Sequence, residues 1–311
     1  TGITQGFSIL VSQYYGAREK ENLKCAVAKS YIMTALLSVI VLAVSEGAVY
    51  HVLLFLQTPD NVIDLTMLYL RLIFAGVPVI AAYNIFAAIL RALGNSRSPL
   101  IAMTVAAVIN VGLDLLFVAV FGWGVAGAAA ATVIAQGISA VLCFIYIVKK
   151  FPILHLKKEN FRFSLPACGK LMALGVPMAL QFSITAIGTI IVQGAVNVYG
   201  EDYMAGFSAA AKIQNVICTV FVAFGATIAT YVGQNWGAGK VDRVRKGVRC
   251  TQIMILAYSV IAMTLVFFFS KYMTYLFISP SETKVIEVSV LYFHMVFWCY
   301  PFLGSIFLYR N

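Results

Sequence analysis

Charge is what this sequence has least of. Asp, Glu, Lys and Arg make up 11% of the 311 residues, less than half the share of about 25% in ordinary soluble domains. Acids are scarcer than bases, twelve against 22. Only three histidines occur, His51, His155 and His294, at no metal-ligand spacing. The six cysteines, Cys25, Cys143, Cys168, Cys218, Cys250 and Cys299, form no CxxC pair, which excludes the usual zinc and redox motifs. No charged n-region with a short apolar stretch and cleavage site opens the chain at Thr1, so no signal-peptide pattern is read. What fills the space is apolar, 61% of the chain. One soluble core cannot hide that much, because cores stop growing near about 250–300 residues. Disorder is excluded too, since it needs low hydrophobicity. An all-α polytopic membrane protein remains.

A membrane helix needs about 20 apolar residues. Segments of that kind lie at 27–52, 64–92, 98–121, 125–149, 171–199, 203–233, 248–270 and 286–310, with the end of a further helix at 1–15. Polar breaks rich in Gly and Pro separate them, among them 58–61, 94–96, 122–124, 200–202 and 279–281. Between these spans the bases fall on alternate loops. Seventeen Lys and Arg lie on one side, in 18–29, 91–97, 149–170 and 240–249, against Lys271 and Lys284 on the other. The positive-inside rule makes the basic loops cytoplasmic. The net charge of +10 is therefore a one-sided belt and no sign of nucleic-acid binding. The expected location is the plasma (inner) membrane, crossed many times.

Two stretches recur. Val11–Ala17 (VSQYYGA) resembles Val232–Ala238 (VGQNWGA), and Leu68-Tyr69 leads to Phe74 and Pro78 with the spacing by which Leu291-Tyr292 leads to Phe297 and Pro301. A duplication follows. It predicts two parallel six-helix lobes in a protein of twelve helices, of which about nine are represented here. One helix and part of another would be missing before residue 1, and two after residue 311. The lobes are expected at 1–149 and 171–311, joined by a cytoplasmic, interfacial linker at 150–170.

Asp114 is the one acid placed deep inside a span, and a carboxylate there is costly enough to mark function. Asn110 is one turn back on the same face. Thr132 follows Trp123 by nine residues, as Asp114 precedes it, so a helical hairpin sets both about 13 Å from its turn. Carboxylate, amide and hydroxyl oxygens suit a hard cation, Na+, or a proton. The opposing reading is an ion pair, with Arg71 at similar depth neutralising Asp114. Tyr69 is a candidate supporting donor. Gln181, Thr185 and Lys212 are candidate cavity-lining residues, and Pro78, Pro177 and Pro301 candidate hinges.

SQYYGA with its basic sequel, LRALGNSRSPL (90–100) and NVGLDLLFVAVFGWGVAGAAAAT (110–132), with GVP (175–177) and GQNWGA (233–238), resemble the multidrug and toxic compound extrusion (MATE) transporters. The resemblance runs over essentially the whole chain. It implies a secondary antiporter exporting cationic or amphiphilic small molecules in exchange for Na+ or H+. It further implies no other cofactor, no partner beyond substrate and bilayer, and a monomer. Asn110, Asp114 and Thr132 match the family's amino-lobe cation site. The family's acid eight residues beyond the seventh-helix proline is Thr185 here, which favours coupling through the amino lobe. A lipid-linked oligosaccharide flippase of the same superfamily is the alternative, but it needs a cationic cavity and buried bases are few. A membrane-embedded enzyme would need paired aspartates or a metal triad.

Overall fold

A computed structural model describes residues 2–55, 60–162 and 164–310, with the side chains of 55–62 left aside; the expected break at 58–61 therefore lies largely outside the described residues. All described regular structure is helical: α1 (Gly2–Gly16), α2 (Lys20–Phe55), α3 (Asp60–Ala75), α4 (Val77–Ala92), α5 (Arg97–Asp114), α6 (Gly124–Lys150), α7 (Leu165–Asn197), α8 (Glu201–Gly237), α9 (Val241–Thr274), α10 (Thr283–Val296) and α11 (Tyr300–Tyr309). Seven described helices are long and apolar enough to cross a membrane, or eight with the bent α3/α4 pair counted as one span. These are the expected spans, with three irregularities that apolarity alone does not reveal.

The expected span 64–92 is broken. Its two halves, Ile63–Ala75 and Val77–Ala92, meet at 42°. Pro78 follows the break by two residues, and its ring can neither donate to nor fit beneath the preceding turn. The span 98–121 ends in a π-helical turn, Leu115–Val120, which starts immediately after Asp114. Tyr300–Tyr309 is separated from α10 by a 3₁₀ turn at Phe297–Cys299, with Pro301 in the first turn of α11 where a proline costs nothing. Pro177, by contrast, lies inside a continuous α7. Helix α7 starts at Leu165, with Pro166 in its first turn. Ahead of it, two short 3₁₀ turns (Pro152–Leu154 and Lys158–Phe161) lay Leu154 and Leu156 against the core.

The duplicated motifs fold alike. After α1 the chain closes with bonds from Arg18 N–H to Tyr15 O and Glu19 N–H to Tyr14 O. After α8 the same pair runs from Gly239 to Trp236 and Lys240 to Asn235. This is the Schellman closure, whose left-handed position Gly fills cheaply. Gly239 has φ 69°, whereas the first copy puts Arg18 there at φ 60°. That conformation costs a non-glycine residue about 1–2 kcal/mol, offset by about 0.5–1 for glycine's extra freedom when unfolded. Arg18→Gly is therefore expected to stabilise the protein by about 0.5–1 kcal/mol. A lowered melting temperature in detergent would contradict the assignment.

The described contacts group into two units, Thr1–Ala179 and Leu180–Asn311. In the first, α4 is central and packs on α1, α2 and α6, while α5 packs along α6. Phe7, Leu23, Val27, Ile89 and Leu90 fill its core. The second is built from α8–α11 around Phe221, whose ring lies 5.1 Å from Tyr258.

Candidate functional site

The α5–α6 hairpin carries Asn110, Asp114 and Thr132. Its turn is made by residues 122–124, with Gly122 at φ 67° and Gly124 at φ 54°. Phe117, Phe121 and Trp123 cluster over it, with Phe117 and Trp123 rings 4.9 Å apart. The hairpin thus has a fixed end, from which Asp114 and Thr132 are equally spaced in sequence. The π turn adds a second constraint. It carries the Phe121 N–H to Leu116 O, five residues back, at 2.9 Å. One widened turn directly after the acid loosens the backbone there, and such turns recur at functional positions.

The polar atoms at this site are unusual in what they lack. Asp114 Oδ1 and Asn110 Nδ2 are both buried without a hydrogen-bond partner among the described residues. Thr132 spends its proton within its own helix, donating to Ala128 O at 3.0 Å, and so presents lone pairs outward. A buried carboxylate oxygen with no donor is expensive. A proton or a small cation removes that cost.

The competing ion pair has its cation elsewhere. Arg71 Nε lies 3.6 Å from Glu46 Oε2, a bridge between α3 and α2 with side chains 53% and 35% exposed. Glu46, on α2, is thus the acid that Arg71 meets. Tyr69, on α3, is on the edge of exposure. A prediction follows from the pairing. Arg71→Gln and Glu46→Gln should each cost no more than about 1 kcal/mol, since exposure screens the pair, and the double variant should cost no more than either single. Additive losses in melting temperature would show that the two side chains act independently.

The other candidates are dispersed. In the second unit, Thr185 donates to Gln181 O at 2.9 Å. Lys212 is exposed with its ammonium 5.6 Å above the Phe277 ring, a snorkelling posture. Pro78 adjoins the sharp bend of α3/α4, Pro301 starts α11, and Pro177 precedes the division between the units by two residues.

Sequence reasoning missed what braces the site. At Gly76, the pivot between α3 and α4, an added Cβ would collide with the methyl carbons of Val133. The pivot therefore touches α6 one residue from Thr132. The signal was present as Gly76-Val77-Pro78, the same tripeptide as Gly175-Val176-Pro177.

The comparisons with known proteins agree with this architecture. The MatE family profile matches residues 1–116 and 177–311. The chain is 31% identical over 255 residues to "Probable multidrug resistance protein YpnP" of Bacillus subtilis, covering 80% of this chain and 55% of that protein. It is 28% identical over 311 residues to "Probable multidrug resistance protein YoeA" of the same organism, covering 98% of this chain and 67% of that one. The chain thus spans between about half and two thirds of these relatives. A solved outward-facing structure of a multidrug resistance MATE family transporter of the MOP superfamily superposes with a TM-score of 0.91 at 20% identity, over 99% of this chain and 70% of that one, so the fold is shared. A polytopic helical chain with this profile match and these relatives belongs to the MatE family.

Proposed function

We propose that the protein is a secondary antiporter that exports cationic or amphiphilic small molecules in exchange for Na+ or H+, with Asp114 as the coupling carboxylate. The observation that carries the reading is the buried Asp114 Oδ1 with no donor among the described residues, one turn from Asn110, whose Nδ2 also lacks a partner. The relatives' names, multidrug resistance proteins, supply the substrate class. The basic loops face the cytoplasm by the positive-inside rule.

The mechanism is an exchange of two ligands between two conformations. A cation or proton reaching Asp114 from outside neutralises it and lets α5 and α6 close on the acid. The favoured closure biases the protein toward the state with weaker drug affinity. Each ligand must differ in affinity between the states, or no coupling results. Asn110 contributes its amide oxygen and Thr132 its hydroxyl lone pairs. Tyr69, Gln181 and Thr185 are kept as supporting or lining residues. The protein acts as a monomer in the inner membrane and needs no cofactor beyond the coupling ion.

The test is transport by the full-length protein in liposomes loaded with a cationic dye. An inward Na+ or pH gradient is expected to accelerate dye export. Export indifferent to both gradients would refute the antiport reading. The flippase alternative is disfavoured by two observations: Arg71 is engaged by Glu46, and Lys212 lies over Phe277. A lipid-flipping assay on the same liposomes separates the two.

A further inference from the structure

A crevice between α2, α4 and α6 of the first unit takes no part in the site above. It encloses about 330 Å³ and is lined by Tyr31, Thr34, Ser38, Pro78, Phe86 and Phe144 among others. That is the low end of sites that hold small ligands, about 300–1,000 Å³. The walls are mainly apolar, with hydroxyls from Tyr31, Thr34 and Ser38. Thr34 is 6% exposed, and its hydroxyl has no partner among the described residues. Hydroxyls in membrane helices ordinarily bond back to their own turn. Ser30 and Ser38, one turn to either side, do so at 2.7 and 2.8 Å. Thr34 has a free donor in an apolar cleft, which calls for an acceptor from a ligand.

The mouth of the crevice identifies where that ligand comes from. Ala35, Leu36, Val39 and Ile40 beside it on α2 are exposed, as are Val141, Phe144 and Ile145 on α6. Both helices qualify as membrane spans by length and apolarity, and their exposed apolar faces suit contact with lipid. The crevice opens between those faces. Its rim toward the helix ends is basic. Lys20 precedes Tyr31, Thr34 and Ser38 on α2, where Lys24 is paired with Glu21 at 3.0 Å, and Lys149 and Lys150 end α6. The α6 pair lies five and six residues past Phe144, about 7.5–9 Å along the axis. The interfacial layer of one leaflet is comparably thick, about 5–7 Å.

We propose that this crevice is a binding site for an anionic phospholipid of the leaflet on the basic side. One acyl chain fills the cleft, an ester carbonyl accepts the Thr34 hydroxyl proton, and the phosphate meets the lysines at the rim. The acyl chain then lies against Pro78, beside the α3/α4 bend, so the lipid supports the bent form of that pair.

The experiment is photo-crosslinking of the full-length protein in bilayer discs. The probes are phosphatidylglycerol and phosphatidylcholine carrying a diazirine on one acyl chain, with adducts mapped by mass spectrometry. Phosphatidylglycerol adducts are expected to concentrate on the crevice residues. Ala35→Trp, at an exposed position that tolerates bulk, fills the mouth and is expected to reduce those adducts by about ten-fold without lowering the melting temperature. Lys149→Gln with Lys150→Gln is expected to bring the phosphatidylglycerol yield down to that of phosphatidylcholine. Adducts spread evenly over the exposed faces, or unchanged by Ala35→Trp, would overturn the site. Equal yields from the two lipids in the unaltered protein, or no effect of the lysine changes, would overturn its preference for an anionic headgroup.

Discussion

Asp114→Asn is expected to remove ion coupling while leaving a folded protein. In the parent, a saturating gradient should raise the rate of dye export. In the variant it should raise it by nothing. Asn is nearly the same size and neutral, so it mimics the occupied acid without its dependence on the ion. The unoccupied carboxylate is a buried acceptor lacking a donor, a defect worth about 1–3 kcal/mol. The variant should therefore melt at or above the parent's temperature when Na+ is absent. Stability also reports the site directly. A ligand that binds only the folded protein adds about 2.7 kcal/mol at a hundred times its dissociation constant. If Na+ is the coupling ion, it should raise the melting temperature of the parent and not that of Asp114→Asn. An equal rise in both would place the ion elsewhere.

The second large effect concerns the pivot. Gly76→Ala puts a methyl group into the space held by the Val133 side chain. Overpacking of this kind costs about 1–3 kcal/mol. Because the closest collisions are with one side chain, trimming that side chain should relieve most of the strain, leaving a tight contact with Ile73 O at 3.2 Å. Gly76→Ala is expected to lower the melting temperature and slow transport, and adding Val133→Ala should recover most of both. A pair whose losses simply add would mean that the pivot and α6 are not in contact as described. The consequence reaches the site, since Val133 adjoins Thr132 on α6. A bend that changes at Gly76 pushes on the helix that presents the Thr132 hydroxyl.

Much of this protein was legible in the sequence because the bilayer is a simple solvent. It demands long apolar helices with all backbone groups paired, so the spans near 27–52, 98–121 and 203–233 could be read from apolarity and breaks alone. The same scarcity of charge singled out Asp114, and the repeated VSQYYGA and VGQNWGA stretches foretold the matching helix closures after α1 and α8. Tertiary structure decided the rest. Whether Arg71 faced Asp114 or Glu46 depends on the rotation of α3 against its neighbours, which side-chain depth does not fix. The 42° bend at Gly76 and its contact with Val133 arise from packing between helices far apart in sequence. The Thr34 crevice exists only because α2, α4 and α6 fail to close over one another. The sequence by itself determined which segments enter the membrane and which acid is buried there, because transfer from water to lipid is a property of each segment alone. Which groups that acid meets, and where the helices bend or leave space, is a property of their packing, and only the folded chain decided it.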